Sequence, residues 1–215
     1  MTERGMIFNG EMVRAILDGR KTQTRRIMAP QPADDIERGI FPNPEAIGWK
    51  SSLRHKHGST TAHFCPYGKP GERIWVRETW QAIHDYCDEN GHVDERRYAR
   101  SIPRHRGNYW HPVYEEAWGN ESREDREFPW RPSIHMPRWA SRILLEITDV
   151  RVERLKSISD GDAIREGCST ADMKSGDCVA DVFARLWASI YGSDSWNANP
   201  WVWVIAFKRV EGGAA

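Results

Sequence analysis

The sequence predicts an α+β fold, a compact, barrel-like mixed sheet with short flanking helices, and three observations predict it. Strand-like alternation recurs at distant points of the chain, in "GERIWVR", "ILLEITDVRV" and "WVWVIAFKRV". Short helical patterns separate these strands, the clearest being "DVFARLWASIYG". The loops between them are long and strands do not alternate regularly with helices, which fits a doubly wound parallel sheet poorly. With 215 residues and 39% hydrophobic content the chain can bury a sizeable core, and it suits one domain carrying a long insertion.

Taken in order, "NGEMVRAILDG" places Met12, Val13, Ile16 and Leu17 at helical spacing, and Gly19 can turn left-handed after the last turn. The following "KTQTRRIM" is rich in Thr and alternates as a strand does. From about residue 30 to 70, Pro, Gly and polar residues dominate without sustained periodicity, so an irregular excursion is expected. "PGERIWVRETW" reads as a turn and a strand, with Ile74 and Val76 on one face and Trp75 and Arg77 on the other. Residues 85–135 form an insertion that is acidic from Asp85 to Glu95, basic in "RRYARSIPRHR" and acidic again from Glu115 to Glu127. That order of signs suits strands that pair or a mobile flap. In "SRILLEITDVRVERL", Ile143, Leu145 and Ile147 alternate, then Val150 and Val152 resume after a one-residue slip that signals a bulge. "ISDGDAIREG" sets Ser159 three residues before Asp162, a loose capping box, and Gly167 closes a short helix. Val182, Phe183, Leu186, Trp187 and Ile190 make one stripe of a further helix that ends at Gly192. A final strand follows an Asn-Pro turn, and no internal repeat is visible.

Lys plus Arg equals Asp plus Glu, 31 each, so no global field draws the chain to a polyanion or a membrane, and such binding must come from local patches. The four cysteines, Cys65, Cys87, Cys168 and Cys178, form no CxxC pair, and a reducing cytoplasm is the expected location. "MTERGMIFNG" has no apolar signal core, and no run of about 18 apolar residues occurs, so no membrane partner is expected. Eleven Trp imply an aromatic core, a base-stacking surface, or both. Trp75, Trp187, Trp201 and Trp203 fall in regular elements and are expected in the core.

"ILDGRKTQTRR", "PGERIWVRETW", and "LEITDVRVERLKSISDGDAIREG" followed by "WVWVIAFKRV" together resemble the ASCH domain, in particular its long phage and prophage form. The resemblance spans nearly the whole chain. It implies a PUA-like fold, a small mixed β-barrel flanked by short helices, as a single domain over residues 1–215 with insertions at about 30–70 and 85–135. Some ASCH proteins are RNA-binding and some are ribonucleases. A short bacterial form hydrolyses 4-acetylcytidine, releasing acetate from the exocyclic amine. Its functional lysine and threonine sit in a "GRKTxTxR" motif, matched here by Lys21 and Thr24. Its functional glutamate lies in the helix after the long strand, a place matched by Glu166. The short form has nothing like residues 40–130. The implied partner is a modified nucleoside or RNA, with DNA as a further candidate, and no cofactor is implied.

Amide hydrolysis needs a nucleophile, a route for protons and stabilisation of an oxyanion. Lys21, flanked by Arg20 and Arg25, is expected to have a depressed pKa and to deprotonate Thr24 or a water. Thr24 then attacks or positions the water, Glu166 orients the lysine or protonates the departing amine, and Arg26 or backbone N–H groups hold the oxyanion. In a straight strand, positions 21 and 24 point to opposite faces, so a Lys21–Thr24 pair needs a bend after Gly19. The plain alternatives are a basic surface loop, an exposed helix carboxylate at Glu166, and N-terminal dipole partners at Asp160 and Asp162. Trp130 and Trp139 bracket a Pro-punctuated loop and can supply flat walls for a cytosine ring or simply pack that loop.

Two other functions compete. A non-catalytic module can grip RNA or DNA phosphates through "GRKTQTRR" and "RRYARSIPRHR", with Tyr98, Tyr109 or Trp110 stacking on bases. A ribonuclease can draw acid and base from His105, His111 and His135, although a pair is easily found among eight histidines. No metal is expected: His63, Cys65, His84 and Cys87 match no standard zinc spacing, and there is no deaminase signature, Walker loop or GxGxxG.

Overall fold

The computed structural model describes residues 2–32, 36–40, 50–55, 60–84, 98–107, 109–118 and 121–210. In chain order its elements are β1 (Glu3–Ile7), α1 (Gly10–Leu17), β2 (Gln23–Ile27), β3 (Ile36–Ile40), β4 (Lys50–His55), β5 (Thr60–Phe64), β6 (Arg73–Arg77), β7 (Trp80–His84) and β8 (Trp110–Tyr114). There follow α2 (Glu115–Trp118), α3 (Arg123–Arg126), β9 (Leu144–Arg154), α4 (Asp160–Arg165), α5 (Val179–Tyr191), α6 (Ser193–Asn197) and β10 (Trp201–Arg209). The fold is α+β, with sheets ordered β1-β6-β9-β10-β2, β3-β4-β5 and β7-β8. Among the described residues none of these sheets closes into a barrel. The chain divides into two compact units, one of Met1–Arg4, Ala15–Arg73 and Leu145–Arg209, the other of Gly5–Arg14, Ile74–Leu144 and Val210–Ala215.

In the first unit, β10 pairs antiparallel with β2 and with β9, so that Val204 lies opposite both Arg25 and Arg151. Strand alternation then puts Gln23, Arg25, Arg151, Glu153, Val202 and Val204 on one face, and Thr24, Arg26, Val150, Val152, Trp203 and Ile205 on the other. The first face carries α4 and α5: Val202 and Val204 join Leu155, Ala163, Val182, Phe183 and Trp187 in one buried cluster. Full burial of a Phe-sized side chain contributes about 1.5–3 kcal/mol, so this stripe is a main support of the unit. Ile190, expected on the same stripe, is exposed in the last turn of α5.

The slip in the long strand is a bulge. Ala206 lies opposite Asp149 and Phe207 opposite Ile147, which leaves Thr148 without a partner on β10. Helix ends also follow the sequence signals. Gly19 has φ +74° beyond α1 and donates its N–H to Ile16 O at 3.1 Å. Ser159 caps α4, accepting from Asp162 N at 3.1 Å.

Residues 30–70 depart from the expected irregular excursion, because β3, β4 and β5 form an antiparallel meander with Leu53 opposite Gly39 and Thr61. Their Ser, Thr, Lys and Arg residues pair through backbone hydrogen bonds, which need no apolar stripe and so leave no periodic signal.

In the second unit, β7 and β8 pair antiparallel, with Trp80 opposite Tyr114 and His84 opposite Trp110. The described part of the insertion thus contains paired strands, while residues 85–97, with Cys87, lie outside the described residues. Trp80, Ala82, Ala99, Met136 and Ala140 form this unit's core, with Trp110, Tyr114 and Trp139 packed against it. Trp187, Trp201 and Trp203 are buried as expected, but Trp75 is only half-buried, with the Arg77 guanidinium 5.3 Å from its ring centroid. Among the described residues, no helix is long and apolar enough to cross a membrane.

Candidate active site

Two backbone hydrogen bonds fix the turn that follows α1. Lys21 N donates to Ala15 O at 2.9 Å, and Thr22 N donates to Arg165 O, in the last turn of α4, at 2.9 Å. The Lys21 side chain is therefore led toward Glu166, the residue that caps α4. Its Nζ donates to Glu166 O at 2.7 Å and to Glu166 Oε2 at 2.8 Å, with the lysine side chain 0% and the glutamate side chain 2% exposed. Gly167 has φ +97°, and a Cβ placed there would lie 3.0 Å from Ala15 Cβ and 3.3 Å from Lys21 Cβ. Both the backbone angle and the close approach of Lys21 therefore call for glycine.

The second carboxylate oxygen, Glu166 Oε1, accepts from Arg25 at 3.0 Å. Arg25 also donates to Glu153 Oε2 at 3.0 Å and lies 3.5 Å from Asp162 Oδ2, so three carboxylates surround one buried guanidinium. Arg151 donates to Glu153 at 2.6 Å, to Asp162 at 3.1 Å and to Gln23 Oε1 at 3.2 Å, while Arg165 reaches Asp162 at 2.6 Å. Burying ions without such partners costs several kcal/mol each, so the paired arrangement is what makes a charged core tolerable here.

Burial lowers the pKa of Lys21, the Arg26 charge adds to that, and Glu166 opposes it. The depression thus arises chiefly from desolvation rather than from Arg20 and Arg25. Desolvation pushes the Asp162 carboxyl up, but hydrogen bonds from Arg165 and Ser159 and the charges of Arg25 and Arg151 outweigh it and hold the group well below the usual range. The neighbouring Cys168 thiol is pushed up to about 11 by desolvation and then by Glu166, which leaves it a poor nucleophile near neutrality.

Of the residues expected in a pocket, Lys21 and Glu166 come together. Thr24 is buried on the face of β2 opposite Arg25, and its Oγ1 has no hydrogen-bond partner among the described residues. Arg25 takes a different place from the phosphate or substrate contact expected of it: with its side chain 0% exposed, it serves the carboxylates. Arg20 is exposed, bonded to Asp18 at 3.0 Å and Gly167 O at 3.1 Å, and Arg26 is half-buried, reaching Arg25 O at 3.4 Å. Trp130 and Trp139 belong to the second unit. Trp130 meets Phe128 and Trp118 edge-on beneath Arg126, and Trp139 meets Trp80 edge-on and donates to Pro103 O at 3.0 Å. His105 and His135 are exposed and His111 is half-buried on β8.

Sequence reasoning missed Asp162, Glu153 and Arg151. Asp162 read as a dipole partner of the helix, yet the capping box that holds it also aims its carboxylate at Arg25 and Arg151. For Glu153 and Arg151 the bulge was the available signal, since it sets them on the Arg25 face. It also missed Glu78, a buried carboxylate of the second unit that takes two hydrogen bonds from Arg142 at 3.0 and 2.8 Å. Arg142 bonds Glu116 as well, at 2.9 Å, and lies over the Tyr114 ring at 4.2 Å. Desolvation raises the Glu78 pKa against the pull of Arg142. Among the described residues, no three His, Cys, Asp or Glu side chains are grouped to hold a metal.

No protein-family model matches the chain, and no curated protein or solved structure matches it.

Proposed function

We propose that this chain is an ASCH-like protein of PUA-like fold that recognises a nucleoside or RNA and removes an acyl group from the exocyclic amine of a modified cytidine. One observation carries the reading: Lys21 and Glu166, drawn from motifs 145 residues apart, share a buried hydrogen bond of 2.8 Å. These are two of the residues that the resemblance assigns to hydrolysis. A lysine whose pKa is lowered by burial is more readily neutral and able to accept a proton.

In this reading Lys21 takes a proton from a water, whose oxygen forms a bond to the acyl carbon. The bond between the acyl carbon and the exocyclic nitrogen then breaks, the amine leaves on the cytosine ring with the proton returned by Lys21, and the acyl group departs as a carboxylic acid that loses its remaining proton to solvent. Glu166, anchored by Arg25, holds the lysine in place through both steps. Water is the better supported nucleophile, because Lys21 gives its hydrogen bonds to Glu166 and Thr24 lies on the other face of β2 from Arg25. Thr24, on that other face, is given no step in this reading. The burial of Lys21 means that substrate must open the structure over Nζ before reaction.

The test is chromatographic: 4-acetylcytidine is incubated with wild type, Lys21→Ala and Glu166→Gln. Wild type should yield cytidine and acetate, and each variant should lose at least about 100-fold in rate while keeping its circular dichroism spectrum. Intact 4-acetylcytidine after incubation with wild type overturns the reading.

A further inference from the structure

Gln23 takes no part in the hydrolytic steps, yet it stands between two residues of the buried cluster. Lys21 and Arg25 both reach the Glu166 carboxylate, at 2.8 and 3.0 Å, and Gln23 lies between them on the Arg25 face of β2, only 1% exposed. Phe207 N donates to Thr22 O at 2.9 Å, so the pairing with β10 extends one residue ahead of β2 and Lys21 falls on the same side as Gln23. A chain of hydrogen bonds closes the group. Gln23 Oε1 accepts from Arg151 at 3.2 Å, Arg151 donates to Glu153 Oε1 at 2.6 Å, and Glu153 Oε2 accepts from Arg25 at 3.0 Å.

The carboxamide of Gln23 has one orientation here. Arg151 carries only donors, so the amide oxygen must face it and the amide nitrogen is turned away. That nitrogen makes no hydrogen bond among the described residues, and neither does Arg25 Nε, two positions along the same face. An unmatched buried donor is destabilising. Bonding Arg151 does not require it, since a Glu at this position would accept from Arg151 as well, and a Leu would fill a similar volume. What the amide adds is a donor held in a fixed direction beside Lys21 and Glu166. Such a donor fits an acceptor on the molecule that the site binds.

We propose that Gln23 determines substrate choice at the Lys21–Glu166 site by donating from Nε2 to the unprotonated ring nitrogen beside the exocyclic amide, N3 in a modified cytidine. Resting on the hydrolytic reading, this contact adds the class of ring to it. A ring with a bare nitrogen next to the carbon that bears the amide is accepted, and one with C–H or N–H at that position is rejected. The discrimination arises because the wrong ring buries the amide nitrogen of Gln23 against a group that cannot accept from it.

The test compares 4-acetylcytidine with its 3-deaza analogue, which carries C–H in place of N3, for wild type, Gln23→Leu and Gln23→Glu. The ring change also alters the amide's own lability. The decisive quantity is therefore the kcat/KM preference for 4-acetylcytidine over the analogue in wild type, divided by the same preference in each variant. That quotient should be about 5 to 150, the range for leaving a buried donor unmatched. Gln23→Glu keeps an acceptor for Arg151, so it gives the quotient even where Gln23→Leu disturbs the cluster. A quotient of about one in a folded variant shows that Gln23 only packs the cluster, which overturns the proposal and leaves the hydrolysis standing. Calorimetric titration with cytidine and 3-deazacytidine separates the ring contact from the reaction. A wild type that leaves 4-acetylcytidine intact but binds cytidine more tightly than 3-deazacytidine, with the preference lost in Gln23→Glu, overturns the hydrolysis and supports the contact. Neither hydrolysis nor such a preference overturns both.

Discussion

Arg25 and Lys21 sit in the same buried cluster, yet they depend on it differently. Arg25 serves Glu166, Glu153 and Asp162, whereas Lys21 serves Glu166 alone. Arg25→Met should therefore cost about 3–5 kcal/mol in urea unfolding, the usual cost of breaking a buried ion pair. Lys21→Met should cost distinctly less, because Glu166 keeps Arg25. Equal losses would show that the Lys21 pair is as structural as the Arg25 cluster. The acid limb follows from Asp162, whose folded pKa lies below its ordinary 3.8. Its contribution to stability is present above that ordinary value and is lost as pH falls through the folded one. The urea midpoint of wild type should fall below about pH 4, more steeply than that of Asp162→Asn. Lys21 and Glu166 were legible because a motif marks them. Arg25 was not, since a run of cations in sequence says nothing about which one the strand turns inward.

Gly167 shows how one element positions another. It closes α4 in a left-handed conformation, which costs a residue with a Cβ about 1–2 kcal/mol, and it also leaves room for Lys21. Gly167→Ala should lower the melting temperature, and its loss of cytidine release should exceed what that loss of stability explains, because the added methyl presses on the Lys21 stem. Phe183→Ala on α5 should instead cost about 3–5 kcal/mol in urea unfolding without a selective effect on hydrolysis. At this scale the sequence was most informative where a period or a cap exists: α1, α4, α5, β6, β10 and the slip within β9. It was silent on β3, β4 and β5, whose pairing rests on backbone hydrogen bonds between mostly polar residues.

Across the whole molecule, 31 basic and 31 acidic residues cancel, so association with a polyanion must depend on local patches. Overall neutrality conceals this local excess, although the order of signs along residues 85–130 displays it. The division into two units left no mark in composition. Each unit is assembled from separated stretches of chain, so no Pro- or Gly-rich linker announces the boundary.

Thr148 gives β9 an unusual kind of vulnerability. Its identity matters little, since it is exposed and has no partner on β10, but its presence sets the parity of every residue after it. Changing Thr148 to another residue alters the spelling of the strand; deleting it alters the count. The deletion would turn Arg151 and Glu153 away from Arg25 while keeping every residue of the charged cluster in the sequence, so a chain can retain all its site residues and still lose the site.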